Sequence, residues 1–590
     1  MPPEAVAGAE AAEAVRPGEE GTPQERKPQI SSRPVTSRRP APEEAASTVA
    51  GLAEASRSNK HRPDGGGGSD RRPPPWLIPT AIAAVIVLIG AFLVTQVLGD
   101  DNDEQVSGKP GAEQVDADGK PAVTVTPTTA GLAPEPEVPY DGWVDPASSG
   151  EPWSTDVVGQ LTFRGNPTRS YYGLGPVPKA PEIQWRYPSS GGMCGQSSVG
   201  GVAKSWCGTG WTGQPSVWEE DGRTWVSFGA YDKNVHFLDG ADGSEITGGY
   251  DMTDIIKGSV TRDPDGYPLL YSGSRADFHI LAMDRDDGQA ATLWSMSADD
   301  VSPTKWNNDW DSSPLVIDDY LFEGGENGQW YVIKLNRDYG DDGKVTVDPE
   351  VVFHAPAWDD QLLSDLAGSG SRVNDVSIEN SLAISGNTVY FTNSGGLLQG
   401  WDISGVKDGK DPERTFRFWS GDDTDASVVI DKEGMLYIAQ QVERASTSAR
   451  STEVGQLVKI DPTKPDDPIV WSVSDPRGMW ATPAISGGVV ISPTDSGRIV
   501  GVDQMTGEIL WEKDLPGPTW SSPVVVDDVW IQGDCLGFVH GFDFSNPRVD
   551  PPELWTVELE GCVESTPTVF KGQIFVGARG GAFYALGDPA

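Results

Sequence analysis

The sequence predicts an all-β fold, an eight-bladed β-propeller preceded by a disordered tail and one transmembrane helix. Three observations carry this reading. Turn formers are abundant, with Gly 70 and Pro 48 in 590 residues, which favours short strands over long helices. A phrase of apolar runs and turns recurs eight times along the chain. A single uninterrupted apolar stretch is long enough to cross a bilayer.

Residues 1–75 hold 11 Lys/Arg and 11 Asp/Glu among Pro, Ala and Ser, with almost no large apolar side chains. Such a tail cannot bury a core and is expected to be disordered. "WLIPTAIAAVIVLIGAFLVTQVLG", residues 76–99, carries no charge and matches the hydrocarbon thickness as a helix. Arg71 and Arg72 precede it, whereas Asp100, Asp101, Asp103 and Glu104 follow it. The positive-inside rule therefore places the tail in the cytoplasm and the bulk outside a cell membrane crossed once. An uncleaved anchor is favoured over a signal peptide, because the polar leader far exceeds a usual n-region. Residues 100–139 are Pro-, Thr-, Gly- and acid-rich and read as a flexible stalk.

The tail is charge-balanced, so the outer part carries the whole formal charge of −44. Such a field excludes nucleic acid and repels anionic lipid. All four cysteines lie in this outer part, where an even count without CxxC or adjacent cysteines suggests disulfides. Cys194 and Cys207 bracket a Gly/Ser-rich loop; Cys535 lies at the middle turn of the seventh copy and Cys562 just before the eighth. The expected pairs are Cys194 with Cys207 and Cys535 with Cys562, two other connectivities staying open.

The organised region is expected over 140–590, with blade strands from about residue 182. Each copy opens on a small or hydroxyl residue, often followed by Pro, then gives three β-rich runs and a Trp. The introductions follow Thr212 (GQPSV), Lys257 (GSVT), Asp311 (SSPLV), Glu379 (NSLAI), Asp425 (ASVVI), Trp480 (ATPAI), Trp520 (SSPVV) and Glu564 (STPTV). Their spacing of 40 to 68 residues suits a four-stranded blade with insertions. One such sheet cannot cover both its faces, and radial packing of copies can. The last copy ends without a fourth strand, and "EIQWRY" from residue 182 is expected to supply it, with Trp185 where Trp294, Trp471, Trp511 and Trp555 stand elsewhere.

The best copy, "GRIVGVDQMTGEILW" at 497–511, resembles the Ala-x-Asp-x-x-Thr-Gly-x-x-x-Trp pattern of PQQ-like propeller repeats. The resemblance extends over residues 182–590, and the lead-in "QLTFRGNPTRSYYGLGPVPKAPEIQWRYP" looks like that of membrane-anchored actinobacterial propellers. It implies that the repeated Trp docks on the neighbouring blade. It also implies one of two functions: a cofactor-free BamB-like binder, or a quinoprotein dehydrogenase holding PQQ over a Trp with Ca²⁺ on Glu, Asn and Asp. The vicinal Cys-Cys that usually caps the quinone is absent here.

The introducing positions should share one end of the inner strands and offer Lys257, Asp311, Glu379, Asp425, Trp480, Trp520 and Glu564 to one rim, with Asn380 beside them. They read either as solvated loop ends of an acidic protein, as a binding surface, or as a quinone and Ca²⁺ site. Trp211, Trp306 and Trp310 join Trp480 and Trp520 as rim aromatics. The Asp-rich stretches at 284–288, 336–343 and 421–425 read as turns, without the spacing of a calcium loop. His236, His279, His354 and His540 show no paired spacing and read as strand residues, not ligands. No GxSxG with partners or P-loop appears. The favoured expectation is a non-enzymatic scaffold or assembly protein that binds a protein or envelope component, with no cofactor and no catalytic residue. The alternative is a PQQ- and Ca²⁺-dependent dehydrogenase.

Overall fold

A computed structural model describes residues 140–589 except 200–201, 211–212 and 445–447. The expected tail, anchor helix and stalk, with Trp211 and Thr212, lie outside the described residues. Among the described residues no helix is long and apolar enough to cross a membrane.

Eight antiparallel blades follow one another in chain order, each with its strands hydrogen-bonded in succession from inner to outer. Blade six is the plainest: Ala484–Ser486, Val489–Pro493, Arg498–Asp503 and Ile509–Asp514. Its turn chemistry accounts for the repeated Asp-x-x-Thr-Gly. Asp503 Oδ1 accepts from the amides of Met505 and Thr506 at 3.0 and 2.7 Å, and Gly507 follows at φ 76°. A Cβ on Gly507 would lie 2.7 Å from Cγ of Trp471 in the preceding blade. Glycine is required there both for its backbone conformation and for that close approach.

The repeated Trp docks as expected. Trp471 Nε1 donates to Gln504 O at 3.0 Å and Trp511 Nε1 to Pro547 O at 2.8 Å, each in the next blade. Gly501 and Gly541 pair opposite Trp511 and Trp555, and a Cβ at either would strike the indole at 2.0 and 2.2 Å.

Blade eight closes the ring. Its Thr568–Phe570, Gln573–Ala578 and Ala582–Gly587 take Glu182–Tyr187 as the outer strand, with Trp185 opposite Ala585. The seam to blade one is apolar: Phe570, Phe575 and Phe583 share a cluster with Val217, Val226 and Phe228. Phe228 and Phe583 stack at 3.9 Å. Each cluster of this kind draws on neighbouring blades, so burial is gained between blades and not within one.

Two short strands of the lead-in precede the outer strand that begins at Glu182. Gly159–Gln160 adds to the inner edge of blade one and Gly173–Leu174 pairs in parallel with blade eight. Between them the lead-in fills the central channel. It enters at the inner hairpin turn of blade four, where Val144 bridges Gly386 and Trp143 Nε1 donates to Ile403 O at 2.8 Å.

Both expected disulfides are present, Cys194–Cys207 across a hairpin and Cys535–Cys562.

Candidate functional site

The hydroxyl that opens each copy has a structural task. The amide two residues beyond each introducing position donates to the side chain at the same place in the next blade. The links run Gln214 to Ser259, Ser313, Ser381, Ser427, Thr482, Ser522 and Thr566, at 2.8 to 3.3 Å. Thr566 N then returns to Gly213 O at 3.1 Å. This ring satisfies inner-edge donors that would otherwise be buried without partners.

Inside the ring the lead-in segment reaches all eight blades. Arg164 and Arg169 are fully buried and sit at φ 56° and 58°. Arg169 donates to Leu382 O and Ser313 O at 2.8 and 2.7 Å, in blades four and three. Arg164 donates to Pro483 O at 2.5 Å and to Pro523 O, in blades six and seven. Leu161 O accepts from Arg262 N, Pro167 O from Ile384 N and Thr168 O from Ile430 N, in blades two, four and five. The channel therefore has a floor, and the side chain of Phe163 forms part of it.

The introducing residues lie above this ring at one end of the inner strands, as the repeat implies. They are not solvated loop ends. Lys257, Asp311, Asn380, Asp425 and Glu564 are all buried, and Glu379, Trp480 and Trp520 are half-buried. They form separate nests.

In the first nest Lys257 Nζ meets Asp309, Asp311 and Glu326 at 2.8, 2.7 and 2.7 Å. Burial by itself would lower the Lys257 ammonium, but the three carboxylates hold it well above its ordinary range. Burial pushes Asp309 up to about 6 against the pull of Lys257. Three carboxylates within 4.8 Å of one another have the geometry of a cation site, and the chain itself supplies the cation.

In the second, Arg444 donates to Asp375 at 3.0 Å and stands 4.0 Å from Asp423. In the third, Arg579 meets Glu564 at 2.8 Å.

The fourth is a small recess open to solvent, lined among others by Phe163, Glu379, Asn380, Asp425, Trp480 and Trp520. The two indoles meet edge to face at 5.3 Å. Burial, with Glu326 and Asp375 adding, pushes Glu379 up to about 8.

Of the other rim aromatics, Trp310 is core, packed between Phe278 and Tyr331, and not part of the mouth. Trp306 is 41% exposed beneath Arg372. The 421–425 stretch is no solvated turn either: Asp422 accepts the amides of Asp423, Glu443 and Arg444 from within the rim. Phe163, Asp309 and Glu326 were missed from sequence. Asp309 stands two residues before Asp311, a local hint, but Glu326 and Phe163 arrive from turns distant along the chain.

An anionic quinone does not fit this lining. Among the described residues no basic side chain lines the recess, Lys257 is committed to three carboxylates, and the disulfides join residues 13 and 27 apart, so no vicinal disulfide caps the mouth. Glu379, Asn380 and Asp425 are oxygen donors of a kind that hard cations accept.

The fold thus defines an eight-bladed propeller with a plugged channel and an acidic, aromatic mouth. Residues 453–539 match the family described as "Outer membrane protein assembly factor BamB", which establishes the PQQ-like, BamB-like repeat over that stretch. No curated protein matches in sequence. Among solved structures, BamB from Moraxella catarrhalis is similar at 17% identity and TM-score 0.43, covering 62% of this chain and 93% of its own. A europium-containing methanol dehydrogenase is similar at 13% and 0.46, covering 73% and 98%. The quinohemoprotein alcohol dehydrogenase from Comamonas testosteroni is similar at 13% and 0.47, covering 73% and 81%.

Proposed function

We propose that this chain is a membrane-anchored, extracytoplasmic propeller that binds a protein or another envelope component at its mouth and works as a scaffold without a cofactor. The observation that carries the reading is the pairing of a filled channel with an aromatic and carboxylate-lined recess directly above it. The lead-in seals the axis, so a ligand is met at the surface and released from the same face. Half-buried Trp480 and Trp520 are the side chains that anchor protein partners, offering large apolar area with a polar edge. The residues 76–99 would hold the propeller at the membrane.

The test is photo-cross-linking from a residue placed at Trp520 in intact cells, followed by identification of the captured neighbour. A discrete protein or envelope polymer, lost when the probe is moved to the opposite face at Asp527, supports the reading. Reconstitution with PQQ and Ca²⁺ that yields dye-linked alcohol or sugar oxidation would overturn it in favour of a dehydrogenase.

A further inference from the structure

We propose that the recess bounded by Glu379, Asn380, Asp425, Trp480 and Trp520 binds the ammonium or guanidinium head of a lysine or arginine side chain presented by a partner protein. The proposal deepens the reading of the mouth as a docking surface and rests on it.

The recess holds a surplus of acceptors. Asn380 is 2% exposed, and its Nδ2 donates to the carbonyls of Thr392 and Thr424 at 3.1 and 3.0 Å. Carbonyls only accept, so the amide cannot be flipped, and its Oδ1 remains the atom without a partner. Asp425 is 7% exposed; its Oδ2 accepts from Gln441 while Oδ1 has no partner. Among the described residues Glu379 accepts from two hydroxyls, Ser377 at 2.7 Å and Ser394 at 3.2 Å. Among the described residues no Lys or Arg forms a salt bridge with Glu379 or Asp425, although cations of the chain serve the neighbouring nests. Buried acceptors of this kind call for a ligand that brings donors.

The same rim holds a precedent. Lys257 shows what fills such a nest on this rim: an alkylammonium within 2.8 Å of three carboxylates. The recess repeats the oxygen set and lacks the side chain.

The apolar walls favour an organic cation over a metal ion. A bare ion has no use for Phe163, Trp480 and Trp520, whereas a Lys or Arg stem packs on apolar walls and its head gains from the indole faces. Phe163 closes the recess from below, so the side chain enters head first and stops there.

The test titrates the full chain in detergent with the capped tripeptides Gly-Lys-Gly, Gly-Arg-Gly and Gly-norleucine-Gly, following tryptophan fluorescence, with CaCl₂ alone in parallel. Saturable binding of the Lys and Arg peptides is expected, at least tenfold tighter than the norleucine isostere. Binding is expected to fall at least tenfold in Glu379→Gln with Asp425→Asn, and several-fold in Trp520→Phe, in samples whose melting temperature is not lowered. Equal binding of norleucine, unchanged binding in the charge-removing variant, or saturation by Ca²⁺ without any binding of the basic peptides would overturn the proposal. If the peptides fail but cross-linking at Trp520 still captures a protein, only this inference falls. Failure of both removes the docking surface itself.

Discussion

The amide of Ser381 donates to the hydroxyl of Ser427 at 2.9 Å, joining blade four to blade five. It is one link in the ring of hydroxyl acceptors around the plugged channel, and both residues are buried. Ser427→Ala leaves the Ser381 amide buried without a partner. The expected loss is about 1–3 kcal/mol, and Ser427→Thr should recover most of it. Melting temperatures of the two variants check this.

Trp185 carries the seam between the chain ends. Its Nε1 donates to Gly240 O at 2.9 Å, and a Cβ on Gly243, which sits at φ 71°, would strike the indole at 2.6 Å. Trp185→Ala is expected to cost about 3–5 kcal/mol, and Trp185→Phe roughly 1 kcal/mol for the lost hydrogen bond. Hydrogen exchange should show blades eight and one opening first.

Arg169 ties the lead-in to blades three and four from a fully buried position. Arg169→Met removes the donor from three buried carbonyls, those of Leu382, Ser313 and Phe163, and should loosen residues 159–174. Faster proteolysis within that segment, together with a loss of about 2–4 kcal/mol, is the expected result.

Lys257 neutralises Asp309, Asp311 and Glu326. Lys257→Met leaves those carboxylates buried against one another, at a cost of about 3–5 kcal/mol near neutral pH. Acidification should restore part of this, since burial already pushes Asp309 up to about 6 against the pull of Lys257, and without Lys257 it takes up its proton at a higher pH still. Millimolar Ca²⁺ should raise the melting temperature of the variant and leave the wild type unmoved.

Glu379 is raised from its ordinary value to about 8 by burial, then by Glu326 and Asp375, with Lys257 and the Ser377 hydroxyl opposing. Asp425 beside it is raised by burial and by Asp423, Glu379, Glu443 and Asp375. A group raised in the fold contributes stability that is full below its unfolded value and lost as pH climbs through the folded one. Glu379→Gln should therefore match the wild type near its unfolded value of about 4.3 and exceed it above about pH 8, by roughly 1–3 kcal/mol. Melting curves across that range read the crossing.

The repeat was legible because every blade solves the same packing problem with the same residues. Thr506 and Gly507 announce a turn, Trp511 a clasp, and Ser522 and Pro523 an inner strand, each from local chemistry. The closing strand was legible too, since Trp185 stands where a fourth strand needs it. The lead-in was not. Gly165, Asn166 and Thr168 look like loop residues, and nothing local distinguishes a loop in solvent from one threaded through an axis.

The same holds for the mouth. The introducing residues could be named from the repeat, but not which of them face one another. Trp306 and Trp310 are near neighbours in sequence, yet one is 41% exposed and the other is core.

By itself, the sequence determined the blade count, the strand order, the disulfide-bearing loops and the borrowed outer strand, because periodicity and turn chemistry act over a few residues. Only the tertiary structure decided that the channel is filled, that Lys257 is already matched and that Glu379, Asn380 and Asp425 are not. Those outcomes depend on which side chains from different blades converge on one axis, and charge compensation in a buried site is a property of that convergence.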